Sequence, residues 1–514
     1  MRKLLNTILD YQRCIGLSTV FCIPRIGTAS YTAIILLFWS CFITYGQRNS
    51  QLNRNERLIN TIADAVEEHH LNGLSFAVVE NYEVVLSETI GIKDVNSKCP
   101  IDTLTSFSSA SISKPITALL FAILEEKGKI DLKKPVSEYL KRYKLPKSKW
   151  IKSTPPTLEH LLSHTSGTSQ HGFADYYHGD SIPDLLQSLK GEIPQYDSEI
   201  EFLFEPGTQW KYSGGGYVLA QVALEDHMGR SLATIAEEYL FAPLELKRTT
   251  MKQPNESGFL QNIALAHNEE GEIIRDGIPI TPQVAASGMW TNPMDLSKIV
   301  IEIQRALAGK NTSVISNKVA NRVTKIQTIY GSGGWSLGWE RNKAYGNIDW
   351  FSHGGANTGT GGYVYGSMKD GKGIVIFGNG PNSLRMPVED IVVKSVIKEF
   401  DWGKPLDLSD VITLKPEEAE LFTGTYKNSQ YGAIVDVMYD QGSMFAEPFI
   451  GGEKTELHYT GDGTFKIGEF PNMLKFENDP ETKKSIIRFS RIDEGLISEV
   501  ILISQEDDSK EKSH

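Results

Sequence analysis

A serine and a lysine three residues apart, Ser111 and Lys114, form a pair that could carry out nucleophilic catalysis. They open the segment SISKPITALLFAILEEKGK, whose apolar residues recur every three or four positions, which predicts an amphipathic helix that ends near Gly128. Side chains three positions apart on a helix share one face, so the lysine amine can reach the serine hydroxyl. The helix N-terminus would also favour the negative charge of a tetrahedral intermediate beside Ser111.

The spacing alone does not establish catalysis. It also occurs at Ser395 and Lys398 and at Ser509 and Lys512, where nothing else suggests chemistry. A serine that caps a helix beside a lysine that faces solvent explains such a pair equally well. A catalytic role therefore needs partner residues, because serine is a weak nucleophile until a base takes its proton.

Two downstream motifs supply such partners. The segment FEPGTQWKYSGGGYVLAQ places Tyr212 and Ser213 on a glycine-rich turn, and FSHGGANTGTGGYVYG places His353, Gly354 and Gly355 at the end of a strand. Burial lowers the pKa of a lysine, and a nearby ammonium favours a phenolate, so a lysine and a tyrosine together can hold the serine proton. The sequence leaves open which of the two is the base.

In this order, Ser-x-x-Lys, Tyr-Ser-x and His-x-Gly resemble the motifs of the serine β-lactamase and penicillin-binding-protein superfamily. The similarity is greatest to its class C β-lactamase, D-aminopeptidase and esterase branch, and TLEHLLSHTSG, KIDLKKPVSEYL and ASGMWTNPMDLSKIV add to it. It covers about residues 74–400. It implies an α+β, β-lactamase/transpeptidase-like fold, in which an antiparallel sheet flanked by helices meets a helical lobe at the active site.

The resemblance also implies roles for individual residues. Ser111 would be the nucleophile, Lys114 and Tyr212 the shared acid–base system, and Tyr212 the donor to the leaving group. The oxyanion hole would be formed by the backbone N–H groups of Ser111 and Ala356. His353 would complete the catalytic group.

Two positions depart from the family pattern. His353 lies where many relatives carry lysine, so a carboxylate on the substrate is less strongly required. Gly214 lies where many carry asparagine, and Asn357 could take over part of that contact with substrate. The other expected substrate contacts are Ser213, Gly354 and Gly355.

The stretch between the first and second motifs contains further histidines. His164, in LLSHTSG, is predicted to be structural and to shape the loop between helix and site. His171 and His178 lie in the polar, aromatic segment 170–197, and their spacing does not suggest a metal site. We expect this segment to cover the cleft and to influence substrate choice, and we expect no metal or organic cofactor.

Charge and the N-terminal residues bear on location. A net charge of -12 over 514 residues argues against nucleic acid as a partner. Basic residues precede the apolar run 31–46, which predicts that residues 1–46 are a cleaved signal peptide or an N-terminal membrane anchor through residues 27–46. The catalytic part would then be periplasmic, secreted or membrane-anchored outside the cytoplasm. Cys99 alone of four cysteines lies beyond this segment, so we expect no intramolecular disulfide.

Pattern changes along the chain predict separate domains. Strand-like segments predict a hairpin of strands 74–80 and 83–90 and another that turns at Asp370 and Gly371, within a hydrolase domain at 52–402. A helix is predicted from Pro387. Residues 410–505 contain eight short strand-like segments and resemble a lipocalin-like β-barrel, which would close over one edge of the hydrolase domain or bind a ligand in its mouth. Residues 506–514 form a charged tail.

Three functions remain compatible with these features. The first is an exported serine hydrolase that cleaves an amide or ester bond of a peptide, a D-amino-acid derivative or an ester through an acyl-enzyme on Ser111. The second is a β-lactamase or D,D-carboxypeptidase that acts on β-lactams or peptidoglycan peptides. The third is a catalytically inactive, ligand-binding member of the superfamily. The partner would be a small molecule or peptide, and the oligomeric state is open.

Overall fold

The computed structural model describes residues 53–330, 333–343, 345–403, 407–428, 434–447, 454–468, 470–478, 485–493 and 496–504. The predicted signal or anchor at 1–46 and the charged tail at 506–514 lie outside these described residues. Within them, the structure contains no helix that is both long enough and apolar enough to cross a membrane.

A nine-stranded antiparallel sheet forms the centre of the hydrolase region. The strands described up to residue 378 are β1 (Gly73–Glu80), β2 (Glu83–Asp94), β3 (Cys99–Pro100), β4 (Phe107–Ser108), β5 (Trp290–Thr291), β6 (Thr328–Tyr330), β7 (Gly333–Trp335), β8 (Glu340–Asn342), β9 (Trp350–Asn357), β10 (Thr360–Ser367) and β11 (Gly373–Gly378). The sheet order is β3-β2-β1-β11-β10-β9-β8-β7-β6, and β4 pairs with β5 separately. The predicted antiparallel sheet and both predicted hairpins are therefore confirmed.

Helices lie on both faces of this sheet. The described helices are α1 (53–68), α2 (Ser113–Glu126), α3 (Trp150–Ser153), α4 (Leu158–Leu162), α5 (Leu185–Lys190), α6 (Gly214–Met228), α7 (Leu232–Ala236), α8 (Val284–Ser287), α9 (Pro293–Leu307), α10 (Asn317–Thr324), α11 (Asn382–Glu399) and α12 (Pro416–Ala419). The central strands β1 and β11 are buried along almost their whole length. Their nearly continuous apolar sequences follow from this cover on both faces.

Two apolar cores form among the described residues of the hydrolase region. The larger one fills the helical lobe around α2 and α6 and reaches the sheet through Phe351 and Val364. The smaller one lies on the opposite face, between the sheet, α11 and the part of α1 from Leu58 onward. The active-site motifs therefore sit on elements fixed by apolar packing, which limits their movement.

Helix α2 differs in two respects from the prediction. It begins at Ser113, and Ser111 lies in a short 3-10 turn, Ala110–Ile112, that precedes it. The helix is also buried on every side from Ser113 to Leu124 rather than amphipathic, because α8, α10 and the helical turn 237–241 pack against it. The predicted end is correct, since Gly128 adopts the left-handed conformation that terminates helices (φ +66°).

Helix α11 begins earlier than the sequence suggested. We predicted a start at Pro387, but the helix starts at Asn382 and contains this proline in its second turn. The proline lacks the N–H that this position would otherwise donate within the helix, so the second turn has one hydrogen bond fewer. The extra turn brings Arg385 into the protein interior.

The C-terminal region is a closed eight-stranded antiparallel barrel. Its strands are β12 (Gly424–Asn428), β13 (Ile434–Asp440), β14 (Ser443–Glu447), β15 (Thr455–Gly461), β16 (Thr464–Ile467), β17 (Phe470–Asn478), β18 (Ser485–Asp493) and β19 (Leu496–Ser504). The eight predicted segments all form strands, which confirms the predicted small β-barrel. Closure leaves no free sheet edge for pairing with another chain.

Candidate active site

Ser111 lies on a strained turn between β4 and α2. The preceding residue, Ala110, has φ +48°, an unusual value for a residue with a side chain. Ser109 holds the turn in place, because its N–H and its hydroxyl both donate to Met289 O, at 2.9 and 2.7 Å. The turn leaves Ser111 partly exposed at the base of a cleft, although its neighbours are buried.

Lys114 lies directly behind the serine. Its Nζ is 3.1 Å from Ser111 Oγ and donates to Ala286 O at 2.9 Å, and only 1% of the side chain is exposed. Burial lowers the pKa of Lys114 to about 7. A large fraction of the amine is therefore neutral near pH 7, with a lone pair beside the serine hydroxyl.

Tyr212 completes the group on the other side of Lys114. Its phenol is hydrogen-bonded to Ser111, and its ring centroid lies 4.7 Å from Lys114 Nζ. Burial raises the pKa of Tyr212, although the hydrogen bond to Ser111 acts in the opposite direction. The phenol thus keeps its proton near pH 7. Near pH 7, Lys114 is therefore the group that can accept a proton, and Tyr212 is the group that carries one.

His164 supports Tyr212 from behind. It is fully buried, has φ +60°, and its Nδ1 accepts a hydrogen bond from Ser213 N at 3.0 Å. Its ring centroid lies 4.3 Å from that of Tyr212. Burial lowers the pKa of His164 well below its usual range, so the ring is neutral. These contacts fit the structural role that we predicted for this residue.

Strand β9 forms the opposite wall of the cleft. Pairing with β8 ends at Ser352, so the stretch from His353 to Asn357 has an edge that β8 does not cover. This stretch packs against the nucleophile turn, since a Cβ on Gly355 would lie 2.2 Å from Ser109 O and 3.2 Å from Ile112 N. Glycine at position 355 is what allows this approach.

His353 faces the cleft as a neutral ring. Its Nδ1 lies 2.6 Å from Gly354 O, and because a carbonyl can only accept, Nδ1 carries the hydrogen. Its buried Nε2 has no hydrogen-bond partner among the described groups. Burial, with a smaller contribution from Lys114, lowers the pKa of His353 to about 3. His353 therefore brings no positive charge to this wall of the cleft.

Ser213 does not reach the cleft. Its hydroxyl donates to Gln170 O at 2.8 Å and accepts from Thr168 Oγ1 at 2.8 Å and from Gly216 N at 3.1 Å. The side chain is buried and caps the N-terminus of α6. The structure therefore assigns Ser213 to helix capping, and not to the substrate contact that the sequence suggested.

The cleft explains the glycine at position 214. A Cβ on Gly214 would lie 2.8 Å from His171 O and 3.1 Å from Phe173 Cε2, so an asparagine side chain has no room. Asn357 is placed across the cleft, where its Nδ2 donates to Ser108 Oγ at 2.8 Å. Its amide nitrogen therefore also anchors β9 to β4.

Of the segment 170–197, residues 171–173 line one side of the cleft. The segment is tied to the turn after β9, because Asp175 accepts a hydrogen bond from Thr358 N at 2.8 Å. No group of three or more His, Cys, Asp or Glu side chains within the described residues is arranged to hold a metal ion.

The cavity extends well beyond the serine. Its volume is about 1350 Å³, and it runs from Ser111 past Trp210 and Tyr363 to the rim formed by the barrel residues Lys454 and Glu456. Pockets for small ligands typically measure about 300–1,000 Å³. The cleft therefore has room for an extended substrate, and the barrel supplies part of its wall.

Sequence reasoning missed two groups near the serine. The first is Ala286 O, which accepts a hydrogen bond from Lys114. It lies in the segment ASGMW, for which the sequence indicated a similarity to the family but no contact with the catalytic residues. Arg385 lines the cavity from α11, but the predicted start at Pro387 left it outside the helix. Its position after a proline–asparagine pair, at a helix start, was the available signal.

Comparison with known proteins adds a family to this geometry. The beta-lactamase family model matches residues 58–396. The chain is 29% identical over 205 residues to penicillin-binding protein 4* of Bacillus subtilis, covering 38% of this chain and 42% of that protein. It is 26% identical over 236 residues to the teichoic acid D-alanine hydrolase of Staphylococcus aureus, covering 45% and 54%. The matches thus span about half the length of these curated relatives.

Solved structures show the same fold over most of the chain. The octameric penicillin-binding protein homologue from Pyrococcus abyssi superposes with a TM-score of 0.55 at 17% identity, covering 87% of this chain and 99% of that one. SurE in complex with D-Leu gives a TM-score of 0.54 at 19% identity, covering 88% and 100%. At these identities the likeness concerns the fold alone.

Proposed function

Because the chain belongs to the beta-lactamase family, we propose that it is a serine hydrolase that cleaves an amide or ester bond through an acyl-enzyme on Ser111. One observation carries the proposal: the buried Lys114 amine, with a pKa of about 7, lies 3.1 Å from Ser111 Oγ. A buried lysine with such a pKa is costly for folding and useful for proton transfer.

Acylation starts with transfer of the Ser111 proton to neutral Lys114. The serine oxygen then attacks the substrate carbonyl, and negative charge develops on the carbonyl oxygen. The N–H groups of Ser111 and Ala356 would stabilise this charge, since β9 packs against the nucleophile turn. Each hydrogen bond of this kind typically accounts for about 10²–10³-fold in turnover.

Release of the leaving group needs a proton donor. Tyr212 keeps its proton and is hydrogen-bonded to Ser111, so it can protonate the leaving nitrogen or oxygen as the C–N or C–O bond breaks. The proton held by Lys114 then returns to Tyr212. Water attacks the acyl-enzyme by the reverse sequence of proton transfers, which frees the acid product and restores Ser111.

The chemistry of β9 supports a substrate class. His353 carries no positive charge, so this position does not provide the cationic clamp for a substrate carboxylate that a lysine would provide. A peptide, a D-amino-acid derivative or an ester fits this site. One relative is named as a D-alanine hydrolase and one solved neighbour holds D-Leu, which agrees with a D-amino-acid derivative.

A second candidate is a β-lactamase or D,D-carboxypeptidase, which the name of penicillin-binding protein 4* favours. To separate the two, we would incubate the purified chain with a fluorophosphonate and with a fluorescent penicillin, beside Ser111→Ala. The proposal expects the phosphonate alone to label Ser111, as mapped by mass spectrometry. Penicillin labelling would favour the second candidate, and no labelling would indicate a ligand-binding protein without catalysis.

Export is part of the proposed function. It rests on the basic residues and the apolar run within residues 1–46. Fractionation of cells that express the full chain, with N-terminal sequencing, tests it. A mature N-terminus near residue 47 indicates a cleaved signal, an intact chain in the membrane fraction indicates an anchor, and an intact cytosolic chain contradicts export.

A further inference from the structure

Arg385 lies beneath the strand that would supply the second oxyanion N–H. It projects from the first turn of α11, is 2% exposed, and forms an ion pair with Glu389 one turn later. Its Nη2 donates to the backbone oxygen of Gly355 in β9 at 3.2 Å and also to Asn382 Oδ1. A charged side chain thus contacts the peptide bond that precedes Ala356.

Glycines line the path of the Arg385 side chain across the sheet. Gly378 in β11 pairs with Gly361 in β10, and Gly361 pairs in turn with Ala356 in β9. A Cβ on Gly378 would lie 3.1 Å from Arg385 Cδ, and one on Gly361 would lie 2.6 Å from its Nη2. Two glycines on adjacent strands therefore let the arginine cross two strands and reach the third.

The direction of the Gly355 carbonyl fixes the direction of the next N–H. Gly355 O and Ala356 N–H belong to one planar trans peptide, so they point in opposite directions. A Cβ on Gly361 would lie 2.2 Å from Gly355 O, which shows that this oxygen points towards β10. The Ala356 N–H consequently points to the uncovered edge of β9, where the cleft lies.

We propose that Arg385 is a positioning residue for the oxyanion hole, which acts through the Gly355–Ala356 peptide. Its hydrogen bond to Gly355 O resists rotation of the peptide plane and keeps the Ala356 N–H aimed into the cleft. The guanidinium charge also polarises this amide, which makes its N–H a stronger donor. The inference rests on the proposed function, because it assumes that an oxyanion forms beside Ser111.

A purely structural role explains the arrangement less well. A buried arginine–glutamate pair generally adds little stability over apolar residues of the same volume, because both charges lose their hydration. The hydrogen bond to Gly355 O, in contrast, sets an orientation that apolar packing cannot set. The two roles predict different behaviour when the pair is removed.

The test compares Glu389→Gln, which keeps the arginine, with the double variant Arg385→Met/Glu389→Gln, which leaves no unpaired buried carboxylate. Ser111 is labelled with a simple alkyl fluorophosphonate, whose P=O occupies the oxyanion hole in the adduct. We expect the labelling rate of the double variant to fall about tenfold or more relative to Glu389→Gln. The ³¹P chemical shift of its adduct should move towards that of the unfolded adduct.

Val392→Ala is the matched control, since Val392 is buried in the same helix and lies in its apolar core. It should lower the melting temperature and leave the labelling rate and the ³¹P shift unchanged.

Arg385→Lys replaces the double variant if the double variant does not fold. One amine cannot reach both Glu389 and Gly355 O, so we expect the same slower labelling and the same change in ³¹P shift.

Two outcomes overturn the inference. If the variants without Arg385 keep the labelling rate and the ³¹P shift of Glu389→Gln, the arginine does not act on the oxyanion hole. If wild-type Ser111 itself is not labelled, the proposed function fails, and this inference fails with it. A change in melting temperature alone, with normal labelling, assigns the arginine to stability.

Discussion

The cleft around Ser111 and the interior of the C-terminal barrel are both bounded by antiparallel strands, but they are filled in opposite ways. In the barrel, the rings of Phe422, Tyr459, Phe465 and Phe476 pack with centroid separations of 5.0–5.8 Å. Such packing removes apolar surface from water and fixes one structure. The barrel core is therefore built for stability.

The cleft contains groups that lower stability. Lys114 is buried without a carboxylate partner, and the buried Nε2 atoms of His164 and His353 have no hydrogen-bond partner among the described groups. Ala110 and His164 adopt positive φ values. The rest of the fold, including the two apolar cores of the hydrolase region, contributes enough folding free energy to hold an unfavourable but reactive arrangement around Ser111.

Replacement of the buried amine should produce the largest effect on the cleft. We expect Lys114→Met to lower turnover by about 10³-fold or more, because Ser111 then lacks a base. The melting temperature should stay equal or rise, because methionine fills a similar volume without a polar group. Hydrolysis of p-nitrophenyl acetate and thermal unfolding check both. Lys133→Met, at an exposed lysine, is the control, and equal activity of the two variants would remove Lys114 from the mechanism.

The pH dependence should show a smaller effect of the same amine. Since only neutral Lys114 accepts the serine proton, kcat/KM should fall about tenfold per pH unit below pH 7, or about 100-fold at pH 5. A profile without an acidic limb near pH 7 would contradict Lys114 as the base.

The same shift predicts the sign of a stability change. The pKa of Lys114 is about 7 in the folded state and 10.5 in the reference state, so between these pH values the unfolded chain binds the additional proton. Stability that depends on this group therefore rises with pH across that window. The free energy of unfolding of the wild type minus that of Lys114→Met, measured by chemical denaturation from pH 6 to 10, should increase with pH. No change, or a decrease, would mean that the folded state does not lower the pKa of this amine.

A change in the barrel should have the smallest effect on catalysis. Phe465 is fully buried, so Phe465→Ala should destabilise the barrel by about 3–5 kcal/mol. Labelling of Ser111 by a fluorophosphonate should stay normal under conditions where the hydrolase region is folded. Ile434→Ala, at an exposed barrel position, should change neither the stability of the barrel nor the labelling of Ser111. Slower labelling in Phe465→Ala alone would show that the barrel wall of the cleft affects the reaction.

Much of the fold could be predicted from local patterns. Short strand-like runs separated by turn residues placed the eight barrel strands and both hairpins of the large sheet, and the glycine after α2 marked its end. The boundaries of α11 and the all-round burial of α2 could not be predicted in this way. They depend on which distant elements pack against each helix, and neighbouring residues do not encode that directly.

The sequence by itself determined which side chains can meet within one segment: Ser111 and Lys114 are three residues apart, which brings them together across the 3-10 turn and the first turn of α2. Only the tertiary structure decided how they react. The pKa of Lys114 depends on burial beneath Ala286, which is 172 residues away in the chain. The lack of room for a side chain at Gly214 comes from His171 and Phe173. Both the pKa of a side chain and the space around it depend on residues that only folding brings together.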